Sequence, residues 1–436
     1  MKHAVIFLAA LLALLAVKFA DADYVPANEP TVYRAYLVGP IGSINFDIEL
    51  VPTDDGKVIG TLISGGQRVE ATSTAVDNQT INLKFDYYDA EISATVVPQD
   101  RISATTFYPS SIPRGVRLEG EWSKRRSQSE TTRMRIVLYP SIEGHRGCFP
   151  GGPFWRPDRK LDVVQTRRAT IRFSKEADPA VLEVRTDGAS DDKVIGTILT
   201  TTGDYRAMSG RIDGAYLILS TFDAGHAILF VGTINPDGTL SGEFSSGPTY
   251  TDTWTGKWDD NAALPDPFSL TKFTGTVEAL DALTFPDPEG TPRRIGDFAG
   301  KARIIELWGT WCPNCKDAAP VLAELHERYA AKGLTILGLA FEATGDGERD
   351  RRQVALYKQR FNIPYPSLIA GTRAKDVAAK AFPMLDQIRA YPSFIFIDGK
   401  GEIRGVYTGF TGPAAPNEHE RLKRAFDQKV REMLGE

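Results

Sequence analysis

Cys312 and Cys315, with two residues between them, are the side chains in this chain best suited to do chemistry. Two thiols at Cys-x-x-Cys spacing on a helix lie one turn apart on the same face. One can then attack a disulfide and the other can displace the mixed product. The preceding run, Arg303 to Leu307, reads as a short buried strand, and Cys312 to Ala331 carries Leu322, Leu325 and Tyr329 at helical spacing. Cys312 therefore falls at a helix amino terminus. Free backbone N–H groups and the helix macrodipole favour thiolate over thiol there. One sulfur is expected to be exposed and the other covered, a complete redox cycle without metal or organic cofactor. The competing reading is half of a zinc site. Such a site needs two more ligands, and neither His326 nor His419 supplies a pairing.

Glu306, six residues before Cys312, adds a carboxyl to an otherwise apolar strand. A buried carboxyl has a raised pKa, and it can accept the proton of Cys315 as that sulfur attacks. The alternative is a strand glutamate whose carboxyl reaches water. Lys316 and Asp317 are expected to be solvated. Cys148, the third cysteine, is unpaired by count and reads as a buried small hydrophobe or an exposed thiol. Three cysteines are too few for a disulfide scaffold, and the histidines show no constellation.

The elements that hold these residues change character along the chain. From about Tyr24 to Asp266, runs such as Ser43 to Leu50 and Thr80 to Phe85 place apolar residues at every second position, the pattern of half-buried strands. Turns such as Asp54-Asp55-Gly56 and Pro236-Asp237-Gly238 separate them. Lys57-Val58-Ile59-Gly60-Thr61 recurs as Lys193-Val194-Ile195-Gly196-Thr197, the apolar start at Ile81 matches Leu217, and Leu118 to Trp122 resembles Leu240 to Phe244. This repetition implies a duplicated antiparallel unit, barrel or sandwich, over 23–145 and 146–266, joined at the Gly- and Pro-rich Gly147 to Pro153. Beyond a second boundary near Ala262 to Pro267, strands alternate with helices: Leu334 to Phe341, Arg349 to Phe361, Ser393 to Ile397, a hairpin partner Glu402 to Thr408, and a closing helix Glu418 to Leu434. That order predicts an α/β layered sandwich of the thioredoxin type over 273–436.

At the amino end, Lys2 and His3 precede an apolar run from Ala4 to Val17, followed by Ala20-Asp21-Ala22. This predicts a secretory signal peptide over 1–22, since the run is short of the ~20 residues of a spanning helix. A soluble extracytoplasmic protein, without a transmembrane span after cleavage, is then expected. Asn78-Gln79-Thr80 is a glycosylation sequon that matters only in a eukaryotic secretory route. The 51 basic and 56 acidic residues leave a formal net charge of -5, which gives no support to a nucleic-acid partner.

Trp308-Gly309-Thr310-Trp311-Cys312-Pro313-Asn314-Cys315 resembles the active-site segment of thioredoxin-like proteins of the TlpA/ResA class. Leu283 to Phe298 fits the additional strand or hairpin of that class. A looser likeness extends to a subgroup with a long β-rich amino-terminal region. The resemblance implies an exported protein-disulfide reductase acting on disulfide-containing clients. It also implies recharging by a membrane electron relay of the DsbD kind. It places Pro392, after Tyr391, as a cis proline facing the Cys-x-x-Cys, where backbone groups meet an incoming peptide; Trp311, Pro313, Tyr391 and Pro392 are then the substrate-binding set. Glu306 takes the place of the buried aspartate of thioredoxin. Ala318 stands where many TlpA/ResA members have glutamate, so the resemblance leaves proton transfer to Glu306. Pro320 matches the fold's helix-kinking proline. Two other functions stay open: a binding module in which the β region recognises a partner, and a thiol peroxidase. The peroxidatic Thr-x-x-Cys spacing is missing, because Thr310 stands only two residues before Cys312.

Overall fold

The computed structural model describes residues 30–77, 79–97, 117–140, 166–186 and 193–436. The expected signal peptide, the joint at Gly147 to Pro153, Cys148 and Asn78 lie outside them.

Nine strands from Thr31–Val38 to Thr131–Pro140 form one antiparallel sheet, and nine from Arg167–Phe173 to Tyr250–Trp258 form a second. Counted from the amino end of each, the pairing is the same. The first strand lies between the second and ninth, the third pairs with the second and fourth, and the fifth to ninth follow in order. The repeated motifs fall at equivalent places: Val58–Ser64 and Lys193–Thr200 are the third strands, Arg117–Arg125 and Thr239–Ser246 the eighth. In the second sheet the third strand also pairs with the fifth, Met208–Asp213, which closes a barrel. In the first sheet the corresponding strands meet through the Gly60 N–H, which donates to Thr74 Oγ1 at 2.9 Å. The duplicated β region is thus a closed barrel and a nearly closed one.

The alternation seen in the sequence explains the interiors. Along Thr80–Phe85 the residues Ile81, Leu83 and Phe85 are buried while Lys84 faces out. The second barrel has its own core around Phe230 and Trp254, whose rings stack with centroids 4.2 Å apart. The core of the first barrel runs without a break into the carboxy-terminal domain. Trp122 is fully buried there, a side chain whose burial is worth about 2–3 kcal/mol or more.

The carboxy-terminal domain has a five-stranded sheet in the order Ser367–Thr372, Leu334–Glu342, Ala302–Trp308, Ser393–Asp398, Ile403–Thr408. The first three strands are parallel and the last two antiparallel to their neighbours. Ala302–Trp308 is central and buried along its whole length, as strands covered on both faces must be. Helices Pro313–Tyr329, Gly347–Arg360 and Pro416–Leu434 flank the sheet, and the hairpin Thr284–Pro286/Pro292–Arg294 precedes it. Helix Val277–Ala282, strand Ser367–Thr372 and helix Lys375–Ala381 were not distinguished in the sequence reading. The last two are short and follow loops without a clear period. Among the described residues no helix is long and apolar enough to cross a membrane.

Candidate active site

The central strand ends at Trp308, and Gly309 to Trp311 turn the chain into the helix Pro313–Tyr329. Cys312 is the N-cap: its Sγ accepts from the Cys315 N–H at 3.3 Å. Pro313 occupies the first helical position, where its missing N–H costs nothing. Cys312 Sγ also donates to the Tyr391 carbonyl at 3.1 Å. The Tyr391–Pro392 bond is cis, and the strand Ser393–Asp398 starts directly after it. Both cysteines are unbridged. Burial, with Cys312 and then Glu306 nearby, pushes the Cys315 thiol well above the ordinary range.

Glu306 is buried, which rules out a carboxyl reaching solvent. Its one hydrogen-bond donor among the described residues is the Tyr365 hydroxyl at 3.2 Å, and burial pushes the carboxyl up to about 8. A second buried carboxyl escaped sequence reasoning. Glu342, at the end of Leu334–Glu342, accepts from the Thr310 N–H at 2.9 Å and the Thr310 hydroxyl at 2.7 Å, and burial pushes it up to about 7. The signal available was a glutamate closing a continuous apolar strand. It braces the turn that presents Cys312. Trp308 packs on Tyr357, and Trp311 meets Tyr391 edge-on while donating from Nε1 to the Phe341 carbonyl.

Two expectations are corrected. Cys312 is not the exposed sulfur: it is 3 % exposed and Cys315 1 %. Beside it the Gly203–Ala207 segment of the β region lies on Pro313, Asn314 and Asp317 of the motif helix. Asn314, between the cysteines, donates from Nδ2 to the Asp204 and Phe410 carbonyls, both at 3.1 Å. Arg206 donates to the Pro313 carbonyl at 3.1 Å and pairs with Asp317. Asp317 is therefore not solvated. Nor is Lys316, which lies over the rings of Tyr87, Tyr88 and Phe361. The contacts with Asp204, Arg206, Tyr87 and Tyr88 join residues more than a hundred positions apart, beyond the reach of local pattern reading.

The same junction holds a buried polar group that sequence reasoning missed. Asp223 binds His226 Nδ1 at 3.2 Å. Lys124, from the first barrel, donates to the Gly225 carbonyl at 2.7 Å. Burial and then Arg126 lower Lys124 to about 7, and burial and then Lys124 lower His226 to about 4.

A central parallel sheet with two antiparallel strands, a Cys-x-x-Cys at a helix mouth and a cis proline opposite it define a thioredoxin-like domain. Residues 277–406 match the AhpC/TSA family. Over 123 residues the chain is 29% identical to thiol-disulfide oxidoreductase ResA of Geobacillus kaustophilus, covering 28% of this chain and 63% of that protein. Over 120 residues it is 26% identical to thioredoxin-like protein YneN of Bacillus subtilis, covering 28% and 64%. The chain thus spans less than two thirds of the length of these relatives. Among solved structures, a thiol:disulfide interchange protein of Chlorobium tepidum TLS aligns at 24% identity and a TM-score of 0.28, covering 37% of this chain and 97% of that one.

Proposed function

We propose that the protein is an exported thiol–disulfide oxidoreductase that reduces protein disulfides, with two β units over 23–145 and 146–266 ahead of a thioredoxin-like domain over 273–436. The observation that carries this reading is the Cys312 sulfur held between the Cys315 N–H at 3.3 Å and the Tyr391 carbonyl at 3.1 Å. The helix end offers that sulfur a free backbone N–H, and the backbone beside Pro392 is where an extended client lies down. The Cys312 thiolate attacks one client sulfur, forming the mixed disulfide and releasing the other as thiolate. Cys315 then loses its proton to Glu306 and attacks Cys312. The enzyme disulfide forms, the second client thiol leaves, and two electrons have passed from enzyme to client. Trp311, Pro313, Tyr391 and Pro392 line the client's path. A donor of the DsbD kind in the membrane recharges the dithiol in an extracytoplasmic compartment.

Insulin reduction followed by turbidity tests the reading: wild type turns over and Cys312→Ser loses at least about a thousandfold. Equal rates for the two proteins would remove it. The match to the AhpC/TSA family favours peroxide reduction as a second reading. Consumption of hydrogen peroxide with a thiol donor, faster than insulin reduction, would establish that one instead.

A further inference from the structure

The half-exposed side of the motif, formed by Trp311 and Pro313, is bordered by cations that, among the described residues, have no carboxylate within ion-pairing distance. Arg373 follows the strand Ser367–Thr372, and its guanidinium lies 5.1 Å from the Trp311 ring. Its Nη2 donates to the Arg126 carbonyl at 3.2 Å, across the boundary between the carboxy-terminal domain and the first barrel. Arg126 donates from Nε to Thr132 Oγ1 at 3.0 Å. Lys124, two residues earlier, stands behind them on a carbonyl. Among the described residues none of the three has a carboxylate within ion-pairing distance. Most other arginines at this junction do: Arg206 has Asp317 and Arg349 has Asp89. Glu342 is turned to Thr310, and Glu130 is exposed and offsets only part of the burial cost of Arg126 and Arg373, without an ion pair to either among the described residues.

Gathering like charges without counter-ions is unfavourable in a partly buried setting. Arg126 lowers both Lys124 and Arg373, after burial itself, which is the signature of that cost. The cost falls when an anion arrives, and planar guanidiniums grip carboxylates in two-point fashion. The geometry points to a client whose disulfide is flanked by acidic residues, its carboxylates received by Arg126 and Arg373. This rests on the oxidoreductase reading and specifies its substrate class.

Three disulfide-bridged peptides of equal length test it, with the bridge flanked by Asp and Glu, by Gly and Ser, or by Lys and Arg. At low ionic strength kcat/KM is expected to be about tenfold or more higher for the acidic than for the basic peptide. The ratio should shrink towards one at about 0.5 M salt, where screening acts within a few ångströms. Arg126→Gln and Arg373→Gln, singly and together, should each lower it at low salt. A wild-type ratio near one overturns the inference. So does a variant that slows all three peptides by one common factor, since the cations would then act on Cys312 itself. Failure of wild type to reduce any peptide removes the oxidoreductase reading, and this inference with it.

Discussion

At the scale of single residues, Glu306 has the most to lose by being where it is. Its carboxyl sits in the middle of a strand buried along its whole length, with one hydroxyl for company and a pKa near 8 against an ordinary value near 4.5. A raised carboxyl pKa means that the native state holds a proton the unfolded chain has released. Its drag on stability is therefore absent below about pH 4 and grows as the pH rises towards 8. Glu306→Gln is expected to be more stable than wild type by about 3 kcal/mol at pH 7 and no different at pH 4, as urea unfolding at the two values would read. Turnover should move the other way. Wild-type reduction rises with pH through about 8 as the carboxylate becomes available, and Glu306→Gln lacks that rise. The position of this glutamate was legible in the sequence, because a lone carboxyl in an apolar run has few innocent explanations. The role of Glu342 was not legible, since its partner Thr310 stands 32 positions away; Asp223 and His226 share one turn, and what the sequence hides is the first-barrel Lys124 that packs on that turn.

At the scale of elements, the short turn Thr200 to Ala207 decides how much of the motif meets solvent. Gly203 has a positive φ of 136°, and a Cβ there would come 3.0 Å from the Asn314 side chain and the Phe410 carbonyl. Only a residue without a side chain lets the turn settle on the cysteine helix. Gly203→Ala should lift it, costing about 1–3 kcal/mol. Iodoacetamide should then label Cys312 faster than in wild type. An unchanged labelling rate would mean that the turn does not govern access. The strands and helices on either side of the motif were readable from period and turn chemistry. This turn was not, because its position depends on a surface contributed by another domain.

At the scale of the molecule, Arg206 ties the three parts together. It pairs with Asp317 and donates to the Pro313 carbonyl in the carboxy-terminal domain, reaches Gln67 of the first barrel at 3.4 Å, and lies beside Asp223 of its own. Removing one member of a buried charge pair typically costs about 3–5 kcal/mol. Arg206→Ala leaves Asp204, Asp223 and Asp317 facing one another, so a loss of that size in chemical unfolding is expected. Arg206→Lys should recover little, lacking the fork that serves several acceptors. The duplication that built the β region was visible in five repeated residues, whereas the use made of it was not. The eighth strand of the first copy sends the Trp122 indole and the Lys124 ammonium into the Ala224–Gly225 turn of the second, where they bond two successive carbonyls. Copies that began as equals have thereby become unequal, one the donor and the other the acceptor. Deleting the second copy would take the acceptors from Trp122 and Lys124, and deleting the first would take the donors from the Ala224 and Gly225 carbonyls, so the tandem pair can be inherited only whole.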